Sequence, residues 1–137
     1  MPDMLRAAIR DVPNFPQQGI IFKDITPVLA DPELLQRSIE LIAASVDDLK
    51  IDKVVGIDAR GFIFAPPVAL KHKVGFAPIR KKGKLPWNTK SMTYSLEYGE
   101  NEIEIHEDAV KPGDKVLLID DLLATGGTAS AAVKLLN

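Results

Sequence analysis

Two adjacent carboxylates and a glycine-containing loop follow a short apolar run in the last quarter of the chain. Val116 to Ile119 are all apolar, Asp120 and Asp121 come next, and Ala124 to Thr128 read Ala-Thr-Gly-Gly-Thr. The apolar run is typical of a strand that is buried on both faces of a parallel sheet. Ligands of open α/β sheets bind just outside the carboxyl ends of such strands. The order therefore predicts a binding site at the acid pair and its loop.

The residue types in this segment indicate which ligand the site could bind. Two carboxylates can accept hydrogen bonds from vicinal sugar hydroxyls. Gly126 and Gly127 would let backbone N–H groups approach an anion, and Thr128 could begin a helix whose positive end adds to the attraction. Either piece alone is often only a cap or a turn, but here the two are consecutive and in the right order. Together they favour a phosphorylated ribose.

A second candidate anion site lies at Asp58-Ala59-Arg60-Gly61. It follows the apolar segment Lys53 to Ile57 and precedes a segment with a helical pattern. Backbone N–H groups at a helix N-terminus and the planar guanidinium of Arg60 suit a diphosphate. An arginine in a surface turn is the plainer alternative. Because both loops are predicted at carboxyl ends of strands, we favour binding.

Charge is segregated in the stretch between these two loops. The segment from Arg80 to Lys90 has five basic residues and no acid, whereas Glu97 to Asp108 has six acids and no Lys or Arg. Such runs are as often only solvated faces. Next to a predicted anion site, the basic run becomes a candidate for phosphate binding and carries the residues of a mobile lid.

The hydrophobic pattern predicts an α/β protein, because strand and helix signals alternate along the chain. The predicted elements are a helix at 3–10, an extended segment at 19–23, a helix capped by Asp31 at 32–49, a strand at 53–57, a helix at 61–71, a strand at 75–79, hairpin strands at 92–96 and 103–105 with a turn at 99–101, a strand at 116–119 and a helix at 129–136. Helix and strand starts rest on local signals such as the Asp31-Pro32-Glu33 cap.

Length and composition exclude several classes of protein. A chain of 137 residues is expected to form one domain with its own core. There is no cysteine, which excludes disulfides, thiolate metal sites and a cysteine nucleophile. Residues 1–12 show no continuous apolar stretch, so we expect a cytoplasmic protein that does not bind a membrane. A net charge of −2 argues against nucleic-acid binding.

These segments resemble a known family, the type I phosphoribosyltransferases. The sequence Asp-Asp-Leu-Leu-Ala-Thr-Gly-Gly-Thr at 120–128 resembles the corresponding motif of the adenine phosphoribosyltransferase branch of that family. Four further segments match the branch in order, so the resemblance covers essentially the whole chain. They are Gly19 to Pro27, Val54 to Phe62, Arg80 to Pro86 and Tyr94 to Gly99.

The resemblance implies both a fold and a reaction. The fold is a single domain over 1–137, with a central parallel sheet flanked by helices and a projecting β-hairpin lid at about 81–106. The reaction is the purine-salvage transfer of a phosphoribosyl group from 5-phosphoribosyl-1-diphosphate to adenine, which gives AMP and diphosphate. It also implies Mg²⁺ bound mainly through substrate, with no direct protein ligand set, and a homodimer.

For the phosphoribosyl donor, the resemblance implies a role for each loop. The diphosphate would be bound by Ala59, Arg60, Arg80 and Lys84, and the peptide at Asp58-Ala59 is sometimes cis in the family. Asp120 and Asp121 would hold the ribose hydroxyls, directly or through water. The 5-phosphate would be bound by Thr125, Gly126, Gly127 and Thr128. Catalysis would rest on Arg60, Asp120, Asp121 and Glu97.

For the acceptor, the resemblance implies that main-chain groups of Ile21 and Lys23 read the adenine edge. Phe22, Leu123 and Ala124 would line apolar walls around the base. Lys23 stands where family members usually carry Arg, a change that a main-chain contact would survive. Glu97 would handle the proton that the base loses, and Tyr98 would help to close the lid.

The chain ends at Asn137, about one helix after the phosphate loop, whereas family members continue through at least one more core strand. We therefore expect the C-terminal strand or strands to be missing, either because the form is shortened or because the sequence is incomplete. Two alternatives stay open: a non-catalytic module that senses the phosphoribosyl donor or AMP, and an inactive truncated form. The presence of Glu97, Arg60 and the basic run favours catalysis.

Overall fold

The computed structural model describes residues 3–96 and 99–120. The chain divides into two compact units, Met1–Ser45 and Val46–Asn137. In the described residues each unit has its own sheet, of two strands in the first and five in the second. No helix in these residues is long and apolar enough to cross a membrane.

The first unit pairs two short strands and adds three helices. Its elements are α1 (Asp3–Ala8), β1 (Arg10–Pro13), β2 (Ile21–Asp24), α2 (Thr26–Ala30) and α3 (Pro32–Ala44). Strands β1 and β2 are antiparallel, from Arg10 opposite Asp24 to Pro13 opposite Ile21. The expected continuation of the first helix to Arg10 is wrong, because Arg10 begins β1 and its Nε lies 3.3 Å from Asp24 Oδ2.

Helix α3 begins as its sequence predicts but ends earlier. The Asp31 side chain accepts hydrogen bonds from the Glu33 and Leu34 N–H groups at 3.0 and 3.1 Å, which satisfies two donors of the first turn. The helix ends at Ala44 rather than near Leu49. Asp47 and Asp48 follow at the negative end of the helix dipole, where carboxylates are unfavourable. The two acids therefore disfavour the continuation of α3 to Leu49 that the apolar pattern alone predicted.

The second unit contains the sheet predicted from the apolar runs. Its elements are β3 (Lys53–Ile57), α4 (Gly61–His72), β4 (Gly75–Lys81), β5 (Thr89–Leu96), β6 (Gly99–His106) and β7 (Val116–Ile119). The strand order is β5-β6-β4-β3-β7. Strand β3 pairs in parallel with β4 and with β7, which confirms the central parallel sheet. The hairpin β5-β6 joins β4 in antiparallel orientation, so the whole sheet is mixed.

Both hairpin strands are longer than predicted, since β5 begins at Thr89 rather than at Met92 and β6 spans Gly99–His106 rather than 103–105. Gly99 pairs with Leu96, so residues 99–101 belong to β6 and not to the turn. Glycine and asparagine suggested a turn there, but ladder pairing outweighs that weak local preference. The hairpin meets β4 at only two pairs, Arg80 with Glu104 and Lys81 with Ile103.

Alternating side chains place the core of the second unit on both faces of its sheet. One face buries six apolar residues in a single cluster: Val55, Ile57, Ala77, Ile79, Ile103 and Ile105. The opposite face packs against α4, where the Phe62 and Phe76 rings meet edge to face at 5.7 Å. Because β3 is covered on both sides, Val54 and Val55 are both fully buried. The sheet therefore gives the ends of β3, β4 and β7 a rigid base.

Candidate functional site

The carboxyl ends of β3 and β7 and the last part of β4 lie side by side. Ile57 pairs with Ile79, and Gly56 pairs with Ile119. Asp58 and Asp120 therefore leave their strands at the same edge of the sheet, and Arg80 lies one residue beyond Ile79. The structure thus brings together three sequence segments that were assigned separately to ligand binding, those at 58–61, 80 and 120.

The loop at 58–61, which we call the anion loop, is tied directly to the sheet and to helix α4. The Asp58 N–H donates to the Ile79 carbonyl at 2.9 Å, and the peptide between Asp58 and Ala59 is cis. The Phe62 N–H donates to the Ala59 carbonyl at 3.1 Å as the helix begins. Arg60 occupies the N-cap of α4 and gives it no side-chain cap. The positive end of this helix thus adjoins the edge of the sheet, which favours an anion there.

Two glycines set how closely α4 approaches the sheet. A Cβ atom on Gly61 would lie 2.6 Å from the Ile119 carbonyl oxygen of β7. A Cβ atom on Gly56 would lie 2.8 Å from the Gly61 carbonyl oxygen and from Ala65 Cβ. Real Cβ atoms do not come this close to such atoms, so only glycine fits either position without movement. The glycines therefore place the anion loop against β3 and β7.

Arg80 forms a charge pair with the anion loop. Its Nε lies 3.0 Å from Asp58 Oδ2, and the two side chains are 34% and 25% exposed. This contact uses one of the five N–H donors of a guanidinium. Asp58 thus holds the arginine at the same edge as Arg60 and Asp120.

The basic segment after β4 forms a loop of residues 82–88, which we call the basic loop. Lys84 is exposed and its N–H donates to the Lys81 carbonyl at 3.2 Å. Trp87, the only tryptophan of the chain, is 57% exposed in the same loop. The structure thus gives Trp87 no buried role and makes it a natural optical probe of this loop.

Glu104 of β6 connects the hairpin to the basic loop. Its Oε1 accepts a hydrogen bond from the Gly83 N–H and its Oε2 accepts one from the Thr89 hydroxyl, both at 2.9 Å. The bond from Gly83, and next the bond from Thr89, lower the pKa of Glu104 from its ordinary value of 4.5. Desolvation raises the pKa, and the Lys82 ammonium lowers it. The carboxylate is therefore the stable form at neutral pH.

The predicted base-reading segment lies in the first unit, on β2. Ile21 is exposed, and the Phe22 ring packs edge to face on Phe15 at 5.3 Å. Lys23 Nζ lies 2.6 Å from Asp11 Oδ1, so this side chain is engaged within the unit. That contact is compatible with a role for the main chain of Lys23 rather than for its ammonium group.

Several predicted site residues lie outside the described residues and stay predictions. They are Glu97, Tyr98, Asp121, Leu123, Ala124, Thr125, Gly126, Gly127 and Thr128, together with the helix predicted at 129–136. Within residues 3–96 and 99–120 there is no group of three or more His, Asp or Glu side chains placed to hold a metal ion.

Sequence reasoning missed four residues that shape this edge. Gly56 and Gly61 were not recognised as packing glycines, Asp58 was not paired with Arg80, and Glu104 was seen only as part of an acidic run. The two glycines flank the Asp58-Ala59-Arg60 segment, which is a signal that could have been used. The two carboxylate contacts span 22 and 21 residues, and only the folded sheet brings their partners together.

Comparison with known proteins identifies the family. The model of the phosphoribosyl transferase domain matches residues 24–137. An adenine phosphoribosyltransferase of Halothermothrix orenii is 59% identical over 133 residues, which are 97% of this chain and 78% of that protein.

Solved structures agree with this assignment. The adenine phosphoribosyltransferase of Thermoanaerobacter pseudethanolicus superposes with a TM-score of 0.92 at 50% identity, over 97% of this chain and 77% of that one. The enzyme of Saccharomyces cerevisiae, solved with adenine and an imino-altritol bisphosphate, gives a TM-score of 0.94 at 42% identity, over 97% and 78%. The fold expected from the sequence is therefore confirmed, and the chain belongs to the adenine phosphoribosyltransferases of the phosphoribosyl transferase family.

Proposed function

We propose that this chain, as a single phosphoribosyltransferase domain, transfers the phosphoribosyl group of 5-phosphoribosyl-1-diphosphate to adenine at the shared edge of β3, β4 and β7. Family membership supports the reaction. The observation that carries the proposed location is the Asp58-Arg80 pair at 3.0 Å, because it joins the anion loop to the strand that leads into the basic loop. Arg80 and the N-terminus of α4 lie at the same edge of the sheet as Asp120, which directly follows β7.

The leaving diphosphate takes up most of the negative charge that develops as the glycosidic bond breaks. Donors that are already in place around it stabilise the transition state more than the ground state. We assign this role to the main chain at Ala59, to the guanidinium groups of Arg60 and Arg80, and to Lys84. The packing of Gly61 against β7 supports the assignment, since a fixed loop needs no reorganisation during the reaction.

The ribose and its 5-phosphate are assigned to the segment after β7. Asp120 and Asp121 would accept hydrogen bonds from the two ribose hydroxyls and stabilise the oxocarbenium-like sugar that forms when diphosphate leaves. The exposed position of Asp120 directly after β7 supports this role. The phosphate would lie on the loop formed by Thr125, Gly126, Gly127 and Thr128.

Mg²⁺ belongs to the proposal as an ion bound chiefly by oxygens of the diphosphate and by water. Asp120 offers the oxygen chemistry that Mg²⁺ prefers, so this residue fits an additional contact, directly or through water. When bound, Mg²⁺ would supply positive charge that lowers the cost of releasing diphosphate.

For the base, we propose recognition by the main chain of Ile21 and Lys23, with Phe22, Leu123 and Ala124 as apolar walls. The ion pair between Lys23 and Asp11 supports a main-chain role, because the ammonium group already has a partner. Glu97 would accept the proton that the base nitrogen loses on bonding to C1 of the ribose. Tyr98 would help to close the site.

The assay that tests this proposal measures nucleotide formation from 5-phosphoribosyl-1-diphosphate and Mg²⁺ with adenine, hypoxanthine or guanine. We expect AMP, with a kcat/KM for adenine at least about a hundredfold above the other two, because a 6-amino group donates where a 6-oxo group accepts. Ribose 5-phosphate in place of the donor is the control and should give no product. Equal rates with hypoxanthine would refute the base assignment, and no product with any purine would refute the transfer.

We also propose a cytoplasmic homodimer. The resemblance to the family supplies the dimer, and one apolar face of α4 supports it: Ile63 and Leu70 are seven residues apart on the helix, and Leu70 is 78% exposed. Light scattering with Leu70→Lys compared with the unchanged protein tests the claim. A monomeric unchanged protein would refute it.

A further inference from the structure

We infer that Glu104 is a positioning residue that fixes the basic loop, and with it Lys84, relative to Arg80. The inference rests on the proposed function, since the ligand whose binding it controls is the diphosphate of 5-phosphoribosyl-1-diphosphate. Glu104 itself would not touch that ligand.

The two contacts of Glu104 lie at opposite ends of the basic loop. One carboxylate oxygen binds the N–H of Gly83, next to the first residue of the loop. The other binds the hydroxyl of Thr89, which begins β5 directly after the loop. A single side chain thus ties both ends of the loop to β6, and a charged acceptor makes each bond stronger than a neutral one would be.

The strand that carries Glu104 is firmly held. Ile103 and Ile105, its neighbours on β6, are 2% and 1% exposed and belong to the core of the second unit. Glu104 is also the residue directly opposite Arg80 in the ladder between β6 and β4. Since Lys84 follows Gly83, the carboxylate sets the spacing between Arg80, which pairs with Asp58, and Lys84.

Position and charge have opposite effects on diphosphate binding at this site. A carboxylate near an anion site repels the ligand, so removal of its charge alone would tighten binding. Loss of the two hydrogen bonds would let the basic loop move and would weaken binding, because the ordering of Lys84 must then be supplied by the ligand. The sign of the change in affinity therefore separates the two roles.

Glu102 provides a matched control on the same strand. Its side chain carries the same charge, lies 3.8 Å from Lys82 Nζ and accepts a hydrogen bond from the Thr93 hydroxyl. These contacts are with side chains, whereas Glu104 also binds the loop main chain through Gly83. Glu102→Ala thus removes the same charge and the exposed contact to Lys82 Nζ, while both Glu104 bonds to the ends of the basic loop stay in place.

The experiment measures calorimetric affinity for 5-phosphoribosyl-1-diphosphate with Mg²⁺, the KM for adenine, and hydrogen exchange of the Gly83 amide. It compares the unchanged protein with Glu104→Ala, Glu104→Gln, Thr89→Val and Glu102→Ala. Glutamine can still accept from Gly83 and donate to Thr89, so it should restore the anchor without the charge. Thr89→Val removes only one of the two hydrogen bonds. It replaces Glu104→Ala in the comparison if thermal melting shows that Glu104→Ala does not fold.

We expect Glu104→Ala to bind the donor about tenfold more weakly, with faster exchange at Gly83 and a KM for adenine within about twofold of the unchanged value. The donor affinity of Thr89→Val should lie between those of Glu104→Ala and the unchanged protein. Glu104→Gln should recover most of the lost affinity, and Glu102→Ala should bind the donor as tightly as the unchanged protein or more tightly. Equal donor affinity in Glu104→Ala and Glu102→Ala, whether unchanged or lowered in both, would overturn the inference. Donor binding is read without turnover, so absence of AMP formation would count against the proposed reaction only.

Discussion

The anion loop at 58–61 and the basic loop at 82–88 are held in different ways. The anion loop is fixed by packing: its last residue, Gly61, has no room for a Cβ beside the Ile119 carbonyl, and its first, Asp58, bonds to Ile79. The basic loop exposes the side chains of Lys82, Lys84 and Trp87 to solvent. It is held by polar contacts: main-chain bonds at its ends, from Lys82 N–H to the Glu102 carbonyl and from Glu107 N–H to the Asn88 carbonyl, and the carboxylate of Glu104. One half of the proposed diphosphate site is therefore shaped by the core and the other by polar contacts.

This difference has consequences for energy and motion. Forcing an extra methyl group into a packed position costs about 1–3 kcal/mol, whereas one exposed hydrogen bond contributes about 0.5–1.5 kcal/mol. Segments with few buried contacts also open at lower free-energy cost than the core. We therefore expect the basic loop to admit and release the ligand while the anion loop stays in place.

The largest expected effect is on chemistry at the sheet edge. Asp120→Asn combined with Asp121→Asn removes two charged acceptors, each contributing about 1.5–3 kcal/mol, so kcat/KM should fall by about 10²-fold to 10⁴-fold. Asp120 is exposed, so we expect the double variant still to fold, with a cooperative melting transition. Steady-state kinetics and thermal melting check both parts. A folded double variant with undiminished turnover would remove the acid pair from the mechanism.

The next effect tests the packing of the anion loop. Gly61→Ala should lower the free energy of unfolding by about 1–3 kcal/mol and weaken donor binding, because α4 must move away from Ile119. Gly75→Ala is the control, since its Cβ would meet only the flexible end of Lys53, at 3.4 Å. Chemical denaturation gives both values. If the two variants are equally stable, the close approach of α4 is not what holds this loop.

A smaller effect concerns pH and distinguishes the basic loop. The pKa of Glu104 is lowered in the folded protein, so its stabilising contribution is complete above its ordinary value of 4.5 and is lost as pH falls through the lower folded value. The difference in unfolding free energy between the unchanged protein and Glu104→Gln should therefore be smaller at about pH 3.5 than at about pH 7. Denaturant titrations at both pH values measure it. A difference that does not change with pH would mean that the charge of Glu104 contributes nothing to the loop.

The smallest effect is expected at the rim of the basic loop. Lys82 Nζ lies 3.8 Å from Glu102, and the lysine side chain is 72% exposed. Lys82→Met should change the free energy of unfolding by less than about 0.5 kcal/mol, because solvent screens such pairs. Thermal melting at low and high salt provides the check. A loss as large as that of Gly61→Ala would erase the contrast between the loops.

The sequence predicted the central sheet because its signals are local. The apolar runs at 53–57, 75–79 and 116–119 each became a strand of the second unit, and Asp31 caps α3 through its own neighbours. Because parallel strands end at the same edge of a sheet, the shared location of Asp58, Arg80 and Asp120 at that edge was also predictable. Their roles in the reaction stay proposals.

Features set by distant contacts were not predictable. Strand β1 has no apolar alternation and is defined only by its pairing with β2. The anchoring role of Glu104 likewise depends on a hairpin register that no local pattern fixes. By contrast, the helix predicted at 61–71 is present as α4, which continues through Pro66 and Pro67; burial of Phe64, Ala65 and Val68 against the sheet outweighs the lost hydrogen bonds.

A crystal structure of this chain with 5-phosphoribosyl-1-diphosphate and Mg²⁺ tests the central claim most directly. We expect the diphosphate oxygens within hydrogen-bonding distance of the anion-loop N–H groups and of the Arg80 guanidinium, with the ribose hydroxyls at Asp120 and with the Glu104 bonds to Gly83 and Thr89 intact. A donor bound with its diphosphate away from residues 58–61 and 80 would contradict the account.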